Sequence, residues 1–202
     1  MSDLNTLAVF ILLDRSGSMA SRWDEALGAI NAYVKELGEG EITLATFDHV
    51  EGLRFEVIRE RAPAAGWKDV TSADATPRGG TPLFDAVARV IALADEAGRE
   101  KTAIVVMTDG AENSSREVTL KDASAAVDRC KAKGWQVVFL GADFNAFAEA
   151  GRMGVTFDHT LNVASGKMEI GLRRMARHTD HYRKTGEAVS FTDEDREESG
   201  GK

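Results

Sequence analysis

Three short polar clusters, far apart along the chain, carry side chains that suit metal chemistry. They are Asp14-Arg15-Ser16-Gly17-Ser18, Gly79-Gly80-Thr81-Pro82 and Thr108-Asp109-Gly110. Their carboxylates and hydroxyls are hard oxygen donors of the kind that Mg²⁺ prefers, and no thiol or imidazole lies among them. Two carboxylates would leave a bound dication nearly neutral, so an acidic group on a partner would not be strongly repelled. The clusters therefore predict a site for a divalent cation.

The elements around these clusters explain how they would meet. Leu7 to Leu13 is a nearly unbroken apolar run that ends at Asp14, and Ala103 to Met107 is a similar run before Thr108. Such runs are typical of parallel strands buried on both faces. Thr81-Pro82 has the residue types that open a helix. Ligands of open α/β sheets bind at the carboxyl ends of the strands, where we expect the clusters to converge.

Strands and helices alternate along the rest of the chain, which predicts an α/β fold with helices on both faces of the sheet. A helical apolar stripe runs from Trp23 to Leu37 and ends before Gly38. Two helices are predicted next to the clusters and beyond them, one that starts at Pro82 with Thr81 just before it and one over 120–130. The remaining predicted elements are a strand at 42–47, an antiparallel edge strand at 53–58, a loop at 62–80, a strand at 136–140, a short helix from Phe144 to Ala150 ended by Gly151, a strand at 155–161 and a helix over 167–184.

The order Asp14-x-Ser16-x-Ser18, then Thr81, then Asp109 resembles the metal-ion-dependent adhesion site of von Willebrand factor type A domains. The resemblance covers about residues 4 to 184 and extends to small stand-alone bacterial or phage proteins of this kind. It implies a Rossmann-like, doubly wound, six-stranded, mostly parallel sheet with one antiparallel edge strand. The independent prediction of an edge strand at 53–58 agrees with that architecture.

The same resemblance implies the function. Ser16, Ser18 and Thr81 would coordinate the metal through their hydroxyls, while Asp14 and Asp109 would act directly or through water. The cofactor would be Mg²⁺, with Mn²⁺ or Ca²⁺ as alternatives, and an Asp or Glu of a partner protein would take the open position. The chain would then be a binding module and not an enzyme.

A metal-dependent phosphoryl-transfer enzyme is the competing hypothesis, because an Asp at the end of the first strand also suits aspartyl-phosphate chemistry. Such enzymes need a second acid two residues later, where this chain has Ser16. A structural alternative also exists for each cluster, since Asp, Ser and Gly are common in turns and helix caps. Five matching residues in one order favour the metal site over separate turns.

Composition narrows the remaining choices. The 202 residues include 25 basic and 33 acidic side chains, and the net charge of -8 argues against nucleic-acid binding. No apolar run is long enough for a membrane span, and the lone Cys130 and the absence of a signal-like start predict a cytoplasmic protein. We expect a domain over residues 1–184 and an acidic, disordered tail over 185–202, with one helical turn starting at Thr192. The oligomeric state is not indicated.

Partner choice is expected to depend on the rim of the site, in the segments from Ala62 to Gly80 and from Gly110 to Ser115. Polar residues in or near these segments are candidates for selecting the partner, although exposed polar residues of this kind are most often only solvated. They are Arg15, Arg78, Asp85, Glu112 and Asn113.

Overall fold

A computed structural model describes residues 6–142 and 146–200, which form one sheet with helices on both sides. The strands are β1 (Ala8–Asp14), β2 (Glu41–His49), β3 (Leu53–Pro63), β4 (Thr102–Thr108), β5 (Gln136–Ala142) and β6 (Thr160–Val163). The helices are α1 (Trp23–Leu37), α2 (Leu83–Ala97), α3 (Leu120–Ala132), α4 (Ala146–Arg152), α5 (Met168–Thr185) and α6 (Asp193–Glu198). Short 3₁₀ helices lie at Gly17–Arg22, Ala64–Gly66 and Phe157–His159.

The six strands lie in the order β3-β2-β1-β4-β5-β6. All neighbouring pairs are parallel except β2 and β3, which are antiparallel. The predicted fold class is therefore confirmed, including the antiparallel edge strand. Strand order reverses between β1 and β4, so the carboxyl ends of these two strands, Asp14 and Thr108, lie side by side at the point where such sheets bind ligands.

Both faces of the sheet carry a hydrophobic core. Alternate residues of β1 point to opposite faces: Val9 and Leu13 belong to the core under α1 and α5, and Phe10 and Leu12 to the core under α2 and α3. All seven residues of β1 are buried. This two-sided burial accounts for the continuous apolar run and fixes Asp14 at the edge of the sheet.

Several element boundaries differ from the sequence prediction. The helix α2 begins at Leu83 and not at Pro82, so Pro82 takes the cap position predicted for Thr81. β3 reaches Pro63 because its pairing with β2 continues past two register irregularities between Ile42 and Ala45. α4 continues through Gly151 to Arg152, and the predicted start of this helix at Phe144 lies outside the described residues. The last strand is shorter than predicted, since a 3₁₀ turn occupies 157–159 and Val155 is buried as a loop residue before it.

The acidic tail also differs from the expectation of disorder. Val189 and Phe191 are buried in the core beside α5, and Arg196 donates hydrogen bonds to the carbonyl oxygens of Phe157 and Thr160. The helical turn predicted at Thr192 is confirmed as the start of α6, where Thr192 forms a capping box with the third residue of the helix. Residues 189–199 thus cover the end of the sheet next to β6.

Candidate metal centre

Asp14 is the last residue of β1, and its side chain is fully buried. One carboxylate oxygen accepts a hydrogen bond from the backbone N–H of Ser16 at 2.7 Å, and the other accepts one from the Thr108 hydroxyl at 2.7 Å. Thr108 ends β4 and was given no role by the sequence pattern, although it stands next to Asp109. It fixes the orientation of the Asp14 carboxylate from the neighbouring strand.

A chain of short hydrogen bonds continues from this loop to the end of β4. The hydroxyls of Ser16 and Ser18 are 3.0 Å apart, and the Ser18 hydroxyl donates to Asp109 Oδ1 at 2.6 Å. Gly17, between the two serines, has no left-handed backbone. Its N–H instead donates to the carbonyl oxygen of Gly79 at 3.0 Å, which joins the first cluster to the second.

Thr81 enters the site from the segment before α2 and is buried. Its N–H donates to Asn113 Oδ1 at 2.9 Å, and the N–H of Asn113 donates back to the carbonyl oxygen of Thr81 at 3.1 Å. A Cβ added to Gly110 would lie 3.5 Å from the Thr81 hydroxyl and 3.8 Å from that of Ser18. Both hydroxyls therefore border the space above Gly110, and the three polar clusters meet at one place.

The electrostatics of the site are dominated by the burial of the Asp14 carboxylate. Burial raises the pKa of Asp14 to about 6, against the opposing effect of the hydrogen bonds from Ser16 and Thr108. The negative charge of Asp109 also raises this pKa. Among the described residues, Asp14 has no basic partner, while Asp109 Oδ2 lies 3.5 Å from Arg22 Nε. An added cation would remove the cost of the Asp14 charge.

The donor set fits a hard divalent cation. Within residues 6–142 and 146–200, no group of three or more His, Cys, Asp or Glu side chains is arranged to hold a metal ion. The candidate centre has a different composition, because hydroxyls supply three of its five oxygen-bearing side chains. Oxygen donors of this kind suit Mg²⁺ or Mn²⁺ better than a soft metal. The structure brings the five side chains together; their roles as ligands remain a prediction.

Two of the residues expected at the rim have other roles. Arg15 is buried, and its guanidinium forms ion pairs with Asp48 and Glu56 instead of facing a partner. Asp85 is also buried and accepts hydrogen bonds from three successive backbone N–H groups, at residues 116–118. The burial of Arg15 could not be predicted from its position in a loop, because its acidic partners lie on strands that are distant in sequence.

The segment after Asp109 is held to α2 by the remaining predicted rim residues. Glu112 accepts hydrogen bonds from the N–H groups of Phe84, Ser114 and Ser115, and Asn113 pairs with Thr81 as described above. Arg78 and Asn113 are the exposed residues among the five, and both are nevertheless hydrogen-bonded within the protein. The rim is therefore largely a set of internal hydrogen bonds.

The topology and the oxygen-rich centre define an α/β domain with a candidate cation site at the carboxyl edge of a parallel sheet. The family model of the von Willebrand factor type A domain matches residues 9–112, which include four strands and all five candidate ligands. The chain belongs to the von Willebrand factor type A family. No curated protein matches it.

Solved structures with the same fold come from diverse organisms. The von Willebrand factor domain of the type V pili tip protein from Porphyromonas gingivalis is 14% identical, with a TM-score of 0.68 over 93% of this chain and 98% of that one. The manganese-loaded TRAP protein of Plasmodium vivax is 15% identical, with a TM-score of 0.58 over 82% and 71%.

Proximal thread matrix protein 1 from the mussel byssus is 17% identical, with a TM-score of 0.60 over 86% of this chain. The chain spans only 48% of that protein. At these identities the solved structures show a shared fold. Among the described residues, no helix is both long and apolar enough to cross a lipid bilayer.

Proposed function

We propose that the chain is a metal-dependent protein-binding module. A divalent cation, Mg²⁺ first and Mn²⁺ or Ca²⁺ as alternatives, binds the centre and in turn binds an Asp or Glu of a partner protein. The proposed ligands are Asp14, Ser16, Ser18, Thr81 and Asp109. The observation that carries the proposal is the Asp14 carboxylate, which is buried among oxygen donors and, within the described part of the chain, has no basic partner.

The comparisons support the class of function. Von Willebrand factor type A domains are protein-interaction and adhesion modules, and some of them depend on a metal. The related Plasmodium vivax structure is loaded with manganese, and the related Porphyromonas gingivalis domain belongs to a pilus tip protein. We extend metal dependence and binding of an acidic partner to this chain on the strength of its own oxygen donors. A nucleic acid or a membrane surface has no part in the proposal.

The residues of the chain would divide the work at such a centre. The bound cation supplies the positive charge that attracts a carboxylate of the partner. The N–H of Ser16 and the hydroxyl of Thr108 keep the Asp14 carboxylate in one orientation. Ser18 is exposed, so it is the most solvent-accessible residue in the series of hydrogen bonds that runs from Ser16 to Asp109.

Phosphoryl transfer has no comparable support. Asp14 is the residue at the end of β1 that would act as the nucleophile, and its carboxylate accepts hydrogen bonds from the Ser16 N–H and the Thr108 hydroxyl, neither of which is a general acid. The residue two positions later is Ser16, which cannot serve as a general acid near neutral pH. The geometry therefore favours binding over chemistry on a substrate.

The test is affinity capture from the native cell extract on immobilised protein in Mg²⁺, followed by elution with EDTA. Asp109→Ala removes a proposed ligand, and Asp128→Ala is the control, because Asp128 is an exposed carboxylate on α3. We expect a partner that is retained by the parent and by Asp128→Ala and is lost from Asp109→Ala. Replacing acidic residues of that partner one at a time should find one that is essential. A partner retained equally in EDTA would contradict the proposal.

A further inference from the structure

Four charged side chains form a cluster next to the segments that carry the proposed ligands. The four-charge cluster consists of Arg15, Asp48, Glu56 and Arg78. Arg15 Nε donates to Asp48 Oδ2 at 2.5 Å, and its two terminal nitrogens donate to the two carboxylate oxygens of Glu56, each at 2.9 Å. Arg78 donates to the same Asp48 oxygen and to Glu56, each at 3.1 Å. Both carboxylates are thus shared by both arginines.

The two arginines belong to the two segments that must meet at the metal centre. Arg15 lies between the proposed ligands Asp14 and Ser16, and Arg78 lies three residues before Thr81. The backbones of these segments are also joined, because the N–H of Arg78 donates to the carbonyl oxygen of Arg15 at 2.7 Å. The cluster therefore links the segments through side chains and backbone together.

The segment between Arg78 and Thr81 is pressed against the end of β2. Gly80 and His49 exchange backbone hydrogen bonds in both directions, at 3.1 and 3.3 Å. Gly79 has a φ of +70°, and an added Cβ would overlap the carbonyl oxygen of His49. Only glycine fits this close approach without strain. The position of Thr81 thus depends on the contacts that hold residues 78–80 against the end of β2.

We infer that the four-charge cluster is a positioning device, which holds the segment that leads into Thr81 beside the segment that carries Asp14 and Ser16 and thereby raises the metal affinity of the centre. The inference rests on the function proposed above. Asp48 is fully buried and the Arg15 side chain is 4% exposed, so the pair is far less screened than a surface ion pair. Replacing a residue that orients a metal ligand commonly lowers metal affinity by about 10- to 100-fold.

The direction in which cation affinity changes when Arg78 is replaced separates positioning from simple electrostatics. Arg78 is a positive charge near a cation site, so its removal should tighten cation binding if charge alone matters. Loss of positioning should weaken cation binding instead. The two explanations therefore predict opposite changes for the same substitution.

The experiment compares Arg78→Met with Arg59→Met. Arg59 pairs with Asp74 at 3.0 Å, so the control also removes one positive charge and one link between β3 and the loop before α2, but leaves the cluster intact. We expect calorimetric Mn²⁺ affinity to fall about tenfold in Arg78→Met and to be unchanged or slightly raised in Arg59→Met. Arg78→Lys should recover part of the loss, and it replaces Arg78→Met as the test variant if the latter does not fold.

Hydrogen exchange in the metal-free protein gives a second readout. The amides of Gly17 and Gly80, which hold the segment in place, should exchange faster in Arg78→Met than in the parent or in Arg59→Met. Unchanged or tighter Mn²⁺ binding with unchanged exchange would overturn the inference. If the parent itself binds no Mn²⁺, the proposed function fails, and exchange alone decides whether the cluster positions the segment.

Discussion

The surroundings of Asp14 and of Asp195 show two ways in which this chain buries a carboxylate. Both residues are almost completely buried. Burial acts to raise the pKa of Asp195, but the N–H of Thr192 and the side chain of His178 outweigh it, and that pKa is lowered. At Asp14 burial prevails over the hydrogen bonds from Ser16 and Thr108, and the pKa rises to about 6. The two shifts are opposite because Asp14 lies deeper in the protein and has no basic partner among the described residues, whereas Asp195 is less strongly desolvated and is paired with His178.

The difference shows which carboxylate is compensated by the chain itself. Asp195 sits at the start of α6 with His178 at 2.8 Å, and Asp48 is fully buried between two arginines. Asp14 lies beside hydroxyls and a second carboxylate. A structural carboxylate acquires partners from the fold, whereas Asp14 is left with a charge that an external cation would compensate.

The largest effect on stability is expected from Arg15→Met, because this substitution takes a basic partner away from Asp48, whereas Asp14 has none within the described part of the chain. Arg15→Met removes the buried cation next to Asp48 and leaves that carboxylate with only the half-exposed Arg78. We expect the free energy of unfolding, measured with urea, to fall by about 3–5 kcal/mol. Arg59→Met, which breaks a more exposed ion pair, should cost less than about 1 kcal/mol. Equal costs in the two variants would show that the buried cation adds nothing at Asp48.

Asp14→Asn should raise the free energy of unfolding of the metal-free protein, whereas Arg15→Met should lower it. The folded-state pKa of about 6 lies above the ordinary aspartate value of 3.8, so ionised Asp14 costs stability above pH 6, and the cost disappears as pH falls toward 4. We expect urea denaturation in EDTA at pH 8 to show a gain of about 1–3 kcal/mol for Asp14→Asn, and little gain at pH 4.5. A loss of stability at pH 8 would remove the contrast with Asp195.

Asp195→Asn should have the smallest effect, lowering the free energy of unfolding by about 1–2 kcal/mol at pH 7. Because the folded-state pKa of Asp195 is lowered, its contribution to stability is present above the ordinary aspartate value of 3.8 and is lost as pH falls through the lower folded value. Hydrogen exchange at the amides of Arg196 and Ser199 should report the loosening of α6. Asp193→Asn is the control, since Asp193 is exposed on the same helix. Equal exchange in the two variants would contradict a special role for Asp195.

The sequence was sufficient for the sheet and for the meeting of the three clusters. The apolar runs of β1 and β4 can be satisfied only by burial on both faces, and parallel neighbours place Asp14 and Thr108 at one edge. Thr81 follows from the same rule, because the helix that it precedes starts at that edge. These are local patterns with few alternatives.

Long-range partners were beyond the reach of the sequence pattern. Arg15 looks like a solvated loop residue until Asp48 and Glu56, from β2 and β3, are placed beside it. The tail after residue 184 has few apolar residues, and nothing local shows that Val189 and Phe191 fill a gap beside α5. Both errors concern side chains whose burial depends on partners far away in the chain.

Calorimetric titration of the metal-free protein with Mn²⁺ is the most direct test of the metal centre, with Asp14→Ala and Asp109→Ala as the test variants and Asp128→Ala as the control. The account predicts one Mn²⁺ per chain in the parent and in the control, and no measurable binding in the two test variants, with circular dichroism showing that they remain folded. Unchanged Mn²⁺ affinity in both Asp14→Ala and Asp109→Ala would contradict it.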